Sequence, residues 1–164
     1  MKYLSVCIFL LFFSPVLNAQ ITGFPKSWEG DWKGEVTIFS PNGSTHRVPV
    51  SLIVAPLDSL RWSWTLFYEA PNQSPREYEL VKDGTTWKID EKNGVVLPQQ
   101  FLGNRMASSF SVAGTLLICY YWLENEVLNM EIHTAGQQGN AANKGTEVSV
   151  HSVGAFQKAT LYRK

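Results

Sequence analysis

The chain is a succession of short segments in which apolar and polar residues alternate. Residues 32–39 set Trp32, Gly34, Val36 and Ile38 against Lys33, Glu35 and Thr37, the period of a half-buried strand. Ser40-Pro41-Asn42-Gly43 ends that run with an Asn-Gly hairpin signal. The next segment places His46, Val48, Val50, Leu52 and Val54 on one face and stops at Pro56, and residues 59–69 place Leu60, Trp62, Trp64, Leu66 and Tyr68 opposite Arg61, Ser63 and Thr65. The pattern continues through 76–82, 85–90, 95–102, 105–112, 115–123, 127–134, 146–153 and 155–162, divided by Gly, Asn and Pro turns. This predicts about ten or eleven strands in one all-β domain. Short links make successive strands antiparallel neighbours, and so many strands in a small domain curl and close, which removes exposed edges. The expected architecture is an antiparallel up-and-down β-barrel. A two-sheet β-sandwich is the alternative, but it needs longer crossovers, for which only 71–75 and 135–144 are available. Residues 134–145, small and polar, read as a mobile connection at one end of the barrel, slack or acting as a flap.

The N-terminus follows a different rule. Met1-Lys2-Tyr3 is a short positive start, residues 4–13 are apolar except for Ser5, and Pro15 precedes Val16-Leu17-Asn18-Ala19. This predicts a signal peptide, 1–19, cleaved after Ala19, with a single domain over 20–164 that is secreted or periplasmic. Lipoprotein processing at Cys7 is the weaker alternative, because most of the apolar run follows that residue. The run is shorter than the ~20 residues of a spanning helix, so no transmembrane segment is expected in the mature chain. Losing Cys7 leaves Cys119 alone, without an intrachain disulfide, as a small buried hydrophobe. Asn42-Gly43-Ser44 and Asn72-Gln73-Ser74 match the N-glycosylation pattern and mark surface turns.

Fourteen Lys and Arg balance fourteen Asp and Glu over 164 residues, with no basic cluster. That argues against nucleic acid as a partner, since phosphate contact needs concentrated positive charge. His46, His133 and His151 stand singly, without the close spacing of a metal site. Glu124, Glu126, Asp90 and Glu91 lie in turns, where solvation keeps carboxylates ordinary. There is no nucleophile elbow, phosphate loop or dinucleotide fingerprint, so no catalytic residue, metal or cofactor is assigned.

Trp28-Glu29-Gly30-Asp31-Trp32, preceded by Phe24-Pro25, resembles the start of the calycin superfamily, which includes lipocalins and fatty-acid-binding proteins. The resemblance implies that Gly30 and Trp32 form the Gly-x-Trp pair of the first strand, that Trp32 plugs the base, and that Arg163 lies across it from the last strand. The layout is most similar to small secreted lipocalin-like proteins of bacteria, although the cysteine pair and C-terminal helix of an orthodox lipocalin are missing. Gly30-x-Trp32-x-Gly34 also resembles nitrobindin-type haem barrels, but Phe156 stands where that family has its iron-binding His.

Aromatic residues supply the functional expectation. Trp62, Trp64, Tyr68 and Trp87, with Tyr121 and Trp122, lie in strands that either fill the interior or line a cavity. The leading expectation is an exported barrel binding a small hydrophobic molecule on Trp62, Trp64, Tyr68 and Trp87. Residues 116–122 are apolar on both faces, so the outer face of Thr115–Leu123 is a candidate protein contact, as in a secreted inhibitor or envelope-assembly partner. A cyclase or isomerase would need a convergent polar cluster inside the barrel.

Overall fold

The computed structural model describes residues 23–143 and 146–164. The leader expected over 1–19, its cleavage point and Cys7 lie outside the described residues. Ten antiparallel strands follow a 3-10 turn at Lys26–Trp28: β1 (Gly30–Phe39), β2 (Thr45–Pro56), β3 (Arg61–Tyr68), β4 (Arg76–Asp83), β5 (Thr86–Asp90), β6 (Val96–Leu102), β7 (Arg105–Val112), β8 (Thr115–Glu124), β9 (Val127–Asn143) and β10 (Thr146–Arg163). Each pairs with the next, and β10 returns to β1 to close the barrel. The sandwich alternative is thereby excluded. Closure runs from Trp32 opposite Arg163 to Phe39 opposite Phe156.

Alternation decides which side chains fill the barrel. Trp32 and Val36 of β1, Val50, Leu52 and Val54 of β2, Trp64 and Leu66 of β3, Leu80 of β4, Met106 of β7, Leu128 and Met130 of β9, and Leu161 of β10 are buried in one core. Burying each removes about 1.5–3 kcal/mol worth of apolar surface from water. Gly34 allows β1 and β10 to approach closely, because a Cβ there would collide with the Thr160 carbonyl oxygen.

Two expectations are corrected. Of the loop expected over 135–144, residues 135–143 are strand instead: β9 continues to Asn143, and Thr146 to Val153 pair back along it, so a two-stranded ribbon extends beyond the β1–β10 closure. The segment carries no apolar period of its own, and cross-strand backbone pairing with residues 146–153 makes it a strand. Residues 146–153 and 155–162, expected as two strands, are one, with register shifts at Val150/His151 and Val153/Phe156. Gly154 marks the second irregularity. The Thr134 hydroxyl occupies the space a side chain would need there and donates to the Ala155 carbonyl at 3.0 Å.

One seam is thin. β6 and β7 pair only from Gln100–Ala107 to Leu102–Arg105, leaving residues 96–99 and 108–112 outside that ladder. Pro98, which has no N–H to give, lies in the unpaired part.

Candidate functional site

The two ends of the barrel are built from different chemistry. At the end where β1 begins, residues 24–28 fold under the strands. Phe24 packs edge-on against Trp28, Trp87 and Phe101, with ring centroids 4.9–5.0 Å apart. Trp28 lies 6.2 Å from Trp64, and Trp62 lies 5.5 Å from Trp87. The indole N–H of Trp32 donates to the Trp28 carbonyl at 2.8 Å, and that of Trp62 donates to the Glu29 carboxylate at 3.0 Å. Arg163 lies over the Trp32 ring with its guanidinium carbon 4.5 Å from the centroid, and it donates to the Ser27 carbonyl at 2.9 Å. Gly30 permits this approach: its φ of +149° is a conformation that side chains rarely adopt. Trp28 and Trp32 are both 0% exposed. This end, the base, is plugged.

At the opposite end, the mouth, inward positions are occupied by Ile38, Val48, Tyr68, Tyr78, Phe110, Leu117 and Gln157, all of them part-exposed. Tyr68 donates from its hydroxyl to the Gln157 side-chain carbonyl at 3.0 Å, joining β3 to β10 across the interior. Arg76 begins β4 opposite Leu66, an inward position, and its guanidinium carbon lies 5.6 Å from the Tyr68 ring centroid. Below them Tyr121 meets Trp64 edge-on at 5.1 Å, and Cys119 is buried across the ladder from Ser108.

The electrostatics of this polar group are uniform in direction. Burial pushes the Tyr68 hydroxyl up to about 12, with the Arg76 charge opposing. Burial likewise holds Tyr121 well above the usual phenol range. Tyr78 is raised chiefly by burial and further by the Glu91 charge, while Arg76 draws it back. The Cys119 thiol is pushed up to about 11 by burial, against a hydrogen bond with Ser108. These groups stay protonated at neutral pH, so they can donate hydrogen bonds but are poorly placed as bases or as a thiolate nucleophile.

The expected ligand residues are therefore divided. Trp62, Trp64 and Trp87 belong to the aromatic mass rising from the base, whereas Tyr68 stands at the mouth. Arg76, Tyr78 and Gln157 were missed by the sequence reading. The signal was present: the inward parity of Leu80 and Tyr78, carried back two residues, puts Arg76 on the inner face.

The outer wall carries a second feature. A cavity of about 300 Å³ opens over β6, β7 and β8, where small Ala107 and Ser109 lie between Pro98, Gln100 and Leu102 on one side and Ile118 and Tyr120 on the other. Trp122, outward on β8, is covered by Arg105, whose guanidinium carbon is 4.1 Å from the ring centroid. Part of the apolar outer face expected on Thr115–Leu123 is thus covered from within the chain. Phe156, at the position compared with the haem ligand, faces outward, stacked on Phe39 at 5.6 Å and on His133 at 4.7 Å. His46 and His151 are exposed, and among the described residues no three His, Cys, Asp or Glu side chains are grouped to hold a metal ion.

No protein-family model and no curated protein matches the chain. Solved structures do. A protein of unknown function from the DUF3598 family of Nostoc punctiforme superposes with a TM-score of 0.62 at 12% identity, over 84% of this chain and 48% of that one. The chain thus spans about half the length of that relative. An S-type phycobiliprotein lyase from Guillardia theta superposes with a TM-score of 0.58 at 11% identity, over 85% of this chain and 89% of the lyase. What is shared at these identities is the fold, a lipocalin-like barrel.

Proposed function

We propose that the protein is an exported lipocalin-like carrier that takes a small hydrophobic molecule through the mouth of its barrel. The observation that carries this reading is the asymmetry of the interior. Aromatic rings fill one end, and apolar inward side chains at the other, Ile38, Val48, Phe110 and Leu117, remain in contact with solvent. Part-exposed apolar surface inside a concave wall is favourable to cover, at about 25 cal/mol per Å² buried. The barrel likeness to the lyase supports a ligand-binding scaffold; its reaction is not carried over.

Thermal unfolding against a panel of fatty acids, fatty alcohols, quinones and haem tests the carrier. A true ligand raises Tm with concentration, since binding the folded state at 100 times Kd adds about 2.7 kcal/mol. Val48→Arg, which fills the mouth, should abolish that rise. No stabilisation by any compound would overturn the reading. Export is tested separately by N-terminal sequencing of the protein recovered outside the cytoplasm, with Gln20 as the expected first residue.

A second reading is favoured by the outer-wall cavity: a protein contact on β6–β8. Ala107→Arg would block that groove from the outside while leaving the mouth untouched. Loss of partner capture in this variant would support a contact on this face, and the absence of stabilisation by every compound of the panel alongside it would favour an interaction protein over a carrier.

A further inference from the structure

Among the five arginines, all within the described residues, one differs from the rest in its pairing. Arg47 meets Glu35, Arg61 meets Asp58 and Glu79, and Arg105 meets Glu131, while Lys33, Lys88, Lys92 and Lys158 each lie within 4.0 Å of a carboxylate. Arg163 is committed to the Trp32 ring and the Ser27 carbonyl. Arg76 occupies an inward position at the mouth, and among the described residues no carboxylate lies within ion-pair distance of it. Its guanidinium rests against Tyr68, which in turn holds the carbonyl side of the Gln157 amide.

Resting on the carrier reading, we propose that the mouth of the barrel selects a monocarboxylic acid with an apolar body, its carboxylate bound by Arg76. A guanidinium presents parallel N–H donors that match the two oxygens of a carboxylate. Its neighbours add neutral donors. The Tyr78 hydroxyl lies within reach of Arg76 and stays protonated, and the Gln157 amide N–H2 is turned away from the carbonyl that Tyr68 uses. Tyr68 orients both Arg76 and Gln157, by ring contact on one side and hydrogen bond on the other. The apolar body would lie against Ile38, Val48, Phe110 and Leu117, which share the mouth with this cluster.

Calorimetric titration of the purified protein at neutral pH with dodecanoate and with dodecanol tests the assignment. The acid should bind about ten-fold more tightly than the alcohol. Arg76→Met should erase that preference while leaving the alcohol's affinity within about two-fold, and Arg76→Lys should retain part of it. Arg76 is exposed, so the variants should melt as the parent does. Equal affinity for acid and alcohol, or a preference that survives Arg76→Met, would overturn the carboxylate assignment and leave the carrier standing. Failure of both compounds to bind would overturn the carboxylate assignment, and the carrier reading falls with it only if every compound of the thermal panel also fails.

Discussion

The base and the mouth share ten strands and one alternation, but they differ in what the inward positions hold. The base stacks Phe24, Trp28, Trp32, Trp62, Trp64, Trp87 and Phe101, and its two hydrogen-bonding indoles, Trp32 and Trp62, find acceptors on the segment that folds beneath the strands. The mouth has Tyr68, Tyr78, Gln157 and Arg76 among smaller apolar side chains, with solvent still in contact. The difference teaches where stability and recognition are separated in this fold. Trp28, Trp32 and Trp64, which have almost no solvent contact, contribute most to holding the barrel, while polar groups kept at a wet rim can exchange water for a ligand.

That division is open to test by substitution. The largest effect is expected at the base: Trp32→Ala should cost about 3–5 kcal/mol in urea unfolding, through lost burial and a cavity that closed strands cannot collapse to fill. Gly34→Ala should follow, at about 1–3 kcal/mol, because the added methyl meets the Thr160 backbone across the closure and cannot be relieved by a rotamer change. Alkaline pH should act on the middle of the barrel. The folded-state thiol of Cys119 is raised to about 11 from 9.0, so its contribution is complete below pH 9 and is lost as pH rises toward 11. Stability should therefore decline over that window by about 2 kcal/mol, and Cys119→Ala should flatten the decline. Arg163→Ala should cost about 0.5–2 kcal/mol from the lost stack on Trp32. Smallest of all, Tyr68→Phe at the mouth should cost about 0.5–1.5 kcal/mol, for one part-buried hydrogen bond to Gln157. A Tyr68→Phe penalty as large as that of Trp32→Ala would break the comparison.

The barrel was legible because strand alternation is local. Trp32, Val36, Val50, Leu52, Val54, Trp64 and Leu66 show their inward faces in the residue order itself, and short turns dictate antiparallel neighbours. What was not legible depends on pairing. Residues 135–143 are strand because residues 146–153 lie beside them, and no pattern within their own run reveals it. The same limit applies to the functional end. Trp62, Trp64 and Trp87 attract attention by size, yet their depth in the barrel is set by register, which puts them toward the base. Arg76 follows Pro75 and looks like a turn charge until Leu66 is found opposite it. The Phe24–Trp28 segment has no strand pattern, and its place under the barrel comes from ring contacts with Trp87 and Phe101 that lie far along the chain.

Gathering the indoles at one pole also fixes what light can report. Trp28, Trp32, Trp62, Trp64 and Trp87 share the base, and the sixth, Trp122, lies under Arg105 on the outer wall. Intrinsic emission from this protein is therefore a gauge of whether its floor is intact. A molecule seated among the tyrosines at the far rim can bind while leaving the colour of that emission nearly unchanged, and heat or a reporter attached to the ligand will register what the protein's own fluorophores pass over.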